Sequence, residues 1–228
     1  MKCAEQTLRL YAVTDRAWTG PQTLYQQVED ALLGGVTCVQ LREKQLDRAA
    51  FLQEAIELAE LCRRYVVPFV VNDDADIAIQ CHADGIHVGQ QDMPLAQVRQ
   101  LVGSEMMIGV SVHSVEQALD AERNGADYLG VGAAFSTSTK TDVETLPRQT
   151  LNQICSAVQI PVVAIGGINR SNLLELSGSG AAGVALVSAI FSAPDIQTAC
   201  QELRSLSEQM IAPQAGPYTV PSAKRRSV

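Results

Sequence analysis

Arg42, Lys44, Asp73, Asp92 and Lys140 are of the types that together handle a polyphosphate. Two carboxylates brought together offer hard oxygen ligands to one divalent cation. Mg²⁺ suits such a pair, because it takes few protein carboxylates and keeps several waters. The two lysines and the arginine supply the positive charge that departing phosphates need. A second anion site is suggested by Gly166-Gly167 and Ser188, since glycine lets backbone N–H groups approach a phosphate closely. Of the three histidines, His87 reads as a buried, satisfied side chain and His82 as a helix end, which leaves His113 nearest to this group. No Ser-His-Asp or Cys-His pairing is defensible at these spacings, and no zinc pattern exists.

These residues are scattered along the chain, so a fold must gather them. Short β-branched runs occur at Leu8 to Val13, Val36 to Leu41, Pro68 to Val71, Gly85 to Val88, Met107 to Val112, Tyr128 to Val131, Val162 to Ile165 and Val184 to Val187. Helical patterns fall between them, near Pro21 to Leu33, Asp47 to Arg64, Asp73 to Cys81, Leu95 to Leu101, Val115 to Asn124, Pro147 to Ala157, Ser171 to Ser177 and Ile196 to Gln209. Strand then helix, eight times over, predicts an α/β chain forming a single (β/α)8 TIM barrel. An open doubly wound sheet is the rival, but no Gly-x-Gly-x-x-Gly follows the first strand.

In such a barrel the strand-to-helix loops share one rim, where active sites sit. Gln40, Arg42, Glu43 and Lys44 close the second strand, Asn72 and Asp73 the third, Gln90 and Asp92 the fourth. Ser111 and His113 close the fifth, and the run 136–142 follows the sixth. Neighbouring strands lie about 4.8 Å apart, so one cation can bridge Asp73 and Asp92. Singly, each residue has a plainer reading: Asp73 as a helix cap, Ser188 as the start of a turn. Their convergence by charge type is what that reading does not predict.

Composition narrows the class. The chain has 228 residues, 46% hydrophobic and 4% aromatic, as helices covering a parallel sheet require. A net charge of -8 argues against nucleic acid as a partner, so phosphate binding must be local. No apolar run is long enough to span a membrane and Met1 to Arg9 holds no apolar leader core, so a cytoplasmic protein is expected. Six cysteines without a CxxC pair read as reduced and buried. The barrel is expected over 1–211, with a flexible tail over 212–228 that carries three prolines and Lys224-Arg-Arg226. Oligomeric state is open, a homo-oligomer included.

The chain resembles the thiamine phosphate synthase family. The stretches that carry the resemblance are Tyr11-Ala-Val-Thr-Asp15, Val39-Gln-Leu-Arg-Glu-Lys44, Val71-Asn-Asp73, Ala83-Asp-Gly-Ile-His-Val-Gly-Gln90 with Asp92, and Gly109-Val-Ser-Val-His-Ser114. Gly125-Ala-Asp-Tyr-Leu-Gly-Val-Gly132, Thr137-Ser-Thr-Lys140 with Asp142, Pro161-Val-Val-Ala-Ile-Gly-Gly-Ile168 and Gly183-Val-Ala-Leu-Val-Ser-Ala-Ile190 continue it in order. The resemblance implies condensation of 4-amino-2-methyl-5-(diphosphooxymethyl)pyrimidine with a thiazole phosphate, or its carboxylated form, releasing pyrophosphate. It implies that Gln40, Leu41, Arg42, Glu43, Lys44, Asn72, Ser111 and Lys140 hold the pyrimidine diphosphate, and that Asp73 and Asp92 hold Mg²⁺. Thr137, Ser138, Thr139, Gly166, Gly167, Val187 and Ser188 are implied for the thiazole phosphate. Arg42, Lys44, Lys140 and Ser111 form the expected catalytic set. The chain departs from the family pattern at Asp74, where an arginine is frequent, and at Ser136, where a proline is.

Two other readings compete. A thiazole tautomerase, an isomerase on a similar barrel, would need no metal pair; a noncatalytic barrel would bind thiamine precursors without turnover. The charged set Arg42, Lys44, Asp73, Asp92 and Lys140 argues against both.

Overall fold

Helix caps and strand ends fall where local chemistry puts them. Asp47, Asp74, Ser114 and Asp195 each accept a hydrogen bond from a backbone N–H in the following first turn, and Thr23 with Gln26 forms a reciprocal capping box. Thr23 opens α1 (Leu24–Leu33), Asp47 opens α2 (Arg48–Arg64), Asp74 opens α3 (Ala75–Gln80), Ser114 opens α5 (Val115–Arg123) and Asp195 opens α8 (Ile196–Ile211). Pro94 and Pro147 precede α4 (Leu95–Val102) and α6 (Arg148–Ala157), where a missing N–H costs nothing. A computed structural model describes residues 3–136 and 145–212 of the chain.

Eight parallel strands close into one barrel in chain order: β1 (Leu10–Val13), β2 (Cys38–Leu41), β3 (Phe69–Asn72), β4 (Gly85–Val88), β5 (Met107–Val112), β6 (Tyr128–Val131), β7 (Val162–Ile165) and β8 (Gly183–Leu186). The barrel and its alternation are those expected from the sequence. β1 pairs with β8 to complete the ring, reinforced where the Arg9 guanidinium donates to the carbonyl of Ala182 at 2.9 Å, 173 positions along the chain.

Three elements differ from the sequence reading. Leu8 belongs to a 3₁₀ turn, Glu5–Leu8, rather than to the first strand. The seventh crossover is also a 3₁₀ turn, Leu173–Leu176, because Asn169 and Asn172 bind the backbone locally. A short helix, α7 (Ser188–Phe191), intervenes directly after β8. The tail expected at 212–228 lies outside the described residues except for Ala212.

Two apolar clusters form the core. One lies between strands and helices and includes Leu41, Val71, Ile86 and Leu129; the other fills the barrel, from Cys3 and Leu8 up to Tyr11 and Tyr128. The six cysteines form no disulfide, and five of them are buried. Among the described residues no helix is long and apolar enough to cross a membrane.

Candidate active site

A cavity of about 480 Å³ opens at the C-terminal end of the barrel, and every strand or the loop after it contributes to its wall. Strand periodicity decides who reaches it, since residues two apart share a face. Tyr11 and Val13, Gln40 and Arg42, His87, Ser111, Gly130 and Gly132, and Ile165 all line it. Leu41 falls between Gln40 and Arg42, so its side chain turns outward into the core between sheet and helices and has no part in the lining.

The expected charged group is largely assembled. Lys44, Asp73 and Asp92 meet at one side of the mouth, with Lys44 Nζ 2.5 Å from Asp73 Oδ2. Asp73 sits in the left-handed region, φ 67°, which turns it away from the helix that follows. It is not a helix cap: Asp74 Oδ1 takes that position, accepting from Ile77 N–H at 2.9 Å, while Arg48 binds its other oxygen. Burial pushes the Asp73 carboxyl up, the Lys44 ammonium pulls it down, and the Asp92 carboxylate, within hydrogen-bonding reach, pushes it up again. Asp92 Oδ2 also accepts from Gly89 N–H at 2.7 Å. Two carboxylates this close fit a hard divalent cation, which would relieve their repulsion. Among the described residues no group of three or more His, Cys, Asp or Glu side chains that could hold a metal ion is found.

Arg42 lines the same cavity, 3.7 Å from Asp15 Oδ2, and its backbone N–H is held by Thr14 Oγ1. Glu43 does not line it. Its carboxylate binds Arg16 at 2.8 Å and accepts backbone N–H groups from Lys44, Gln45 and Leu46, which shapes the loop carrying Lys44. The Glu43 carboxyl is held below its ordinary range: burial opposes this, but the loop amides and Arg16 prevail.

Across the mouth, Gly166, Gly167, Val187 and Ser188 line the opposite wall, while Asn72 and Ser111 line the cavity from β3 and β5. Gly166 and Gly167 have φ of 98° and 65°. A Cβ at Gly167 would lie 2.3 Å from the Ser136 carbonyl oxygen, so glycine is required there by the close passage of the loop after β6. Asn172 donates to the Gly167 carbonyl at 3.0 Å, a support that sequence spacing did not reveal. Thr137, Ser138, Thr139 and Lys140 lie outside the described residues.

The floor of the cavity was not foreseen. Tyr11 and His87 line the floor, and Tyr128 is buried against both beneath it; of the histidines, the sequence points to the rim only for His113. His113 lines the cavity as well, donating from Nδ1 to the Gly132 carbonyl at 2.7 Å.

Residues 10–190 match the thiamine monophosphate synthase family. A thiamine-phosphate synthase of Clostridium acetobutylicum is 47% identical over 189 residues, 83% of this chain and 90% of that protein. One from Ruminiclostridium cellulolyticum is 48% identical over 194 residues, covering 85% and 92%. The solved structure of a thiamine phosphate pyrophosphorylase from Pyrococcus furiosus superposes with a TM-score of 0.84 at 38% identity, covering 91% of this chain and 98% of that one.

Proposed function

The chain belongs to the thiamine monophosphate synthase family, and from that premise we propose how its cavity carries out the synthase reaction. It is a transferase, a thiamine-phosphate synthase, joining an aminopyrimidine to a thiazole phosphate with loss of pyrophosphate. The isomerase alternative finds no support in these relatives. The observation that carries the assignment of roles is one cavity with charged Lys44, Asp73, Asp92 and Arg42 on one wall and the glycine pair with Ser188 on the other.

Arg42 and Lys44, with Lys140, would bind the diphosphate and hold positive charge where negative charge grows as the C–O bond breaks. Asp73 and Asp92 would hold Mg²⁺, which when bound neutralises diphosphate oxygens. Gln40, Asn72 and Ser111 orient the pyrimidine, whose electron-rich ring carries the positive charge left on its exocyclic carbon. Gly166, Gly167, Val187 and Ser188, with Thr137, Ser138 and Thr139, would fix the thiazole phosphate so that its ring nitrogen faces that carbon. The C–N bond forms without a proton to remove, so no side chain need act as a base, and positioning supplies the remaining help. Glu43 serves this reading through the loop it shapes, and Leu41 through the core packed behind its strand.

The barrel over 1–211 is the proposed catalytic unit, working in the cytoplasm on small molecules. Incubating the purified chain with both substrates and Mg²⁺ should yield thiamine phosphate by mass and stoichiometric pyrophosphate. Binding of both substrates without product would replace the synthase by a noncatalytic binder.

A further inference from the structure

Beneath the cavity, four hydrogen bonds connect Gln40 to Ser111 through three side chains that the reaction scheme leaves unused. Gln40 Nε2 donates to the Tyr11 hydroxyl at 2.9 Å. The Tyr11 and Tyr128 hydroxyls are 2.8 Å apart, Tyr128 meets His87 Nδ1 at 3.1 Å, and His87 Nε2 meets Ser111 Oγ at 2.9 Å. The chain crosses the barrel from β2 through β1, β6 and β4 to β5.

Proton counting couples its two ends. Tyr11, Tyr128 and a neutral His87 bring one proton each to four links, so one link must be filled from an end. When Gln40 donates, every interior proton sits on the Ser111 side of its owner. His87 then carries its proton on Nε2 and Ser111 accepts it, which leaves the Ser111 proton, the Gln40 Oε1 and the second Gln40 Nε2–H for partners outside the chain. Were Ser111 to donate, the whole chain would reverse, and Gln40 would offer N–H instead. With a neutral imidazole, Gln40 Oε1 is available to the cavity only when the Ser111 proton is available too.

We propose that Tyr11, Tyr128 and His87 form a positioning relay that makes Gln40 an acceptor and Ser111 a donor toward the cavity. The sense suits a ring that bears an amine and a ring nitrogen, so both groups of an aminopyrimidine are read together. The ligand's identity rests on the synthase reading; the relay itself does not.

The sheet is built around this path. His87, Gly109 and Tyr128 share one register level across β4, β5 and β6, and the glycine between them leaves the two side chains room to meet. A Cβ on Gly109 would fall 2.1 Å from Tyr128 Cζ and 2.5 Å from His87 Nδ1. Gly130 makes the second gap: a Cβ there would lie 3.1 Å from His87 Cε1. Burial holds both phenols well above their ordinary pKa, so each keeps the proton that the relay needs.

Long-range ¹H–¹⁵N spectra of labelled protein, with the His87 signals assigned by their loss in His87→Asn, report the tautomer. A neutral Nε2–H form is expected; an Nδ1–H form or an imidazolium overturns the relay. Tyr128→Phe keeps the ring but removes two links. It should give a tautomer mixture and bind the pyrimidine diphosphate with Mg²⁺ about tenfold more weakly by calorimetry, while thiazole phosphate affinity holds. In a Ser111→Ala background the same change should cost little more, whereas additive losses overturn the proposal. If Tyr128→Phe does not fold, Tyr11→Phe is measured instead, and unchanged pyrimidine affinity in the folded variant overturns it equally. A wild-type chain with the Nε2–H tautomer that makes no thiamine phosphate would support the relay and sink the synthase reading.

Discussion

Asp73 and Asp74 are adjacent in the chain, yet their carboxylates serve opposite sides of a strand end. Asp73, at φ 67°, meets Lys44 in the cavity at 2.5 Å, while Asp74 turns back to cap α3 and pair with Arg48 at 2.9 Å. The left-handed turn at Asp73 is what separates them. A substitution at either position therefore tests a different property.

For the metal pair, Asp73→Asn and Asp92→Asn should each lower turnover by about 100-fold, a barrier increase of roughly 3 kcal/mol. Asparagine tolerates the left-handed backbone at 73, so the melting temperature should change little. Activity against Mg²⁺ concentration decides it. Wild-type turnover at the same half-saturating Mg²⁺ in either variant removes that carboxylate from the ligand set.

Asp74→Ala removes a cap, and the expected loss is about 1 kcal/mol, or roughly 2–4 °C in melting temperature for a chain of this size. The Mg²⁺ dependence should be that of the wild type. A shifted dependence would mean that Asp74, not only Asp73, acts on the cation.

Gly167→Ala combines a positive φ with a Cβ set 2.3 Å from the Ser136 carbonyl oxygen. Destabilisation of about 2 kcal/mol or more is expected, with thiazole phosphate binding weakened more than pyrimidine diphosphate binding. Gly20→Ala is the comparison, since Gly20 has φ 56° but nothing near its Cβ. Equal stability losses in the two variants, measured by denaturant titration, would show that the loop after β6 yields freely.

Burial raises the Tyr11 and Tyr128 pKa values well above 10.0 in the folded chain. Unfolded tyrosines ionise near pH 10, so the folded state binds more protons from there upward. The stability is fully present below that pH and falls as pH rises toward the folded values. Denaturant titrations across this range should show a shallower alkaline loss for Tyr11→Phe than for the wild type. Equal slopes would mean that Tyr11 ionises alike in both states.

The barrel was legible because each strand is a short β-branched run set off by helical patterns, and the rim was legible because its polar residues follow those runs. The interior was not. Strands such as β1 and β4 are buried on both faces, so Tyr11 and His87 carry no alternation that separates barrel lumen from outer core. A signal did exist in Gly109 and Gly130, glycines within strands, which mark close approach by another group. Leu173–Leu176 misled in the other direction: its leucines suggest a helix, but Asn169 and Asn172 capture the backbone first.

Closure of the barrel also sets a timetable for synthesis. β1 is made before its partner β8, and the Ala182 carbonyl that receives Arg9 arrives 173 positions later. At 5–20 residues per second, the far edge of β1 waits roughly 10–35 s on the ribosome without its last neighbour. An unpaired strand edge is a template for pairing with other chains. The vulnerable period of this protein is therefore its birth, and slower translation or crowded synthesis should increase aggregation even when the finished barrel is stable.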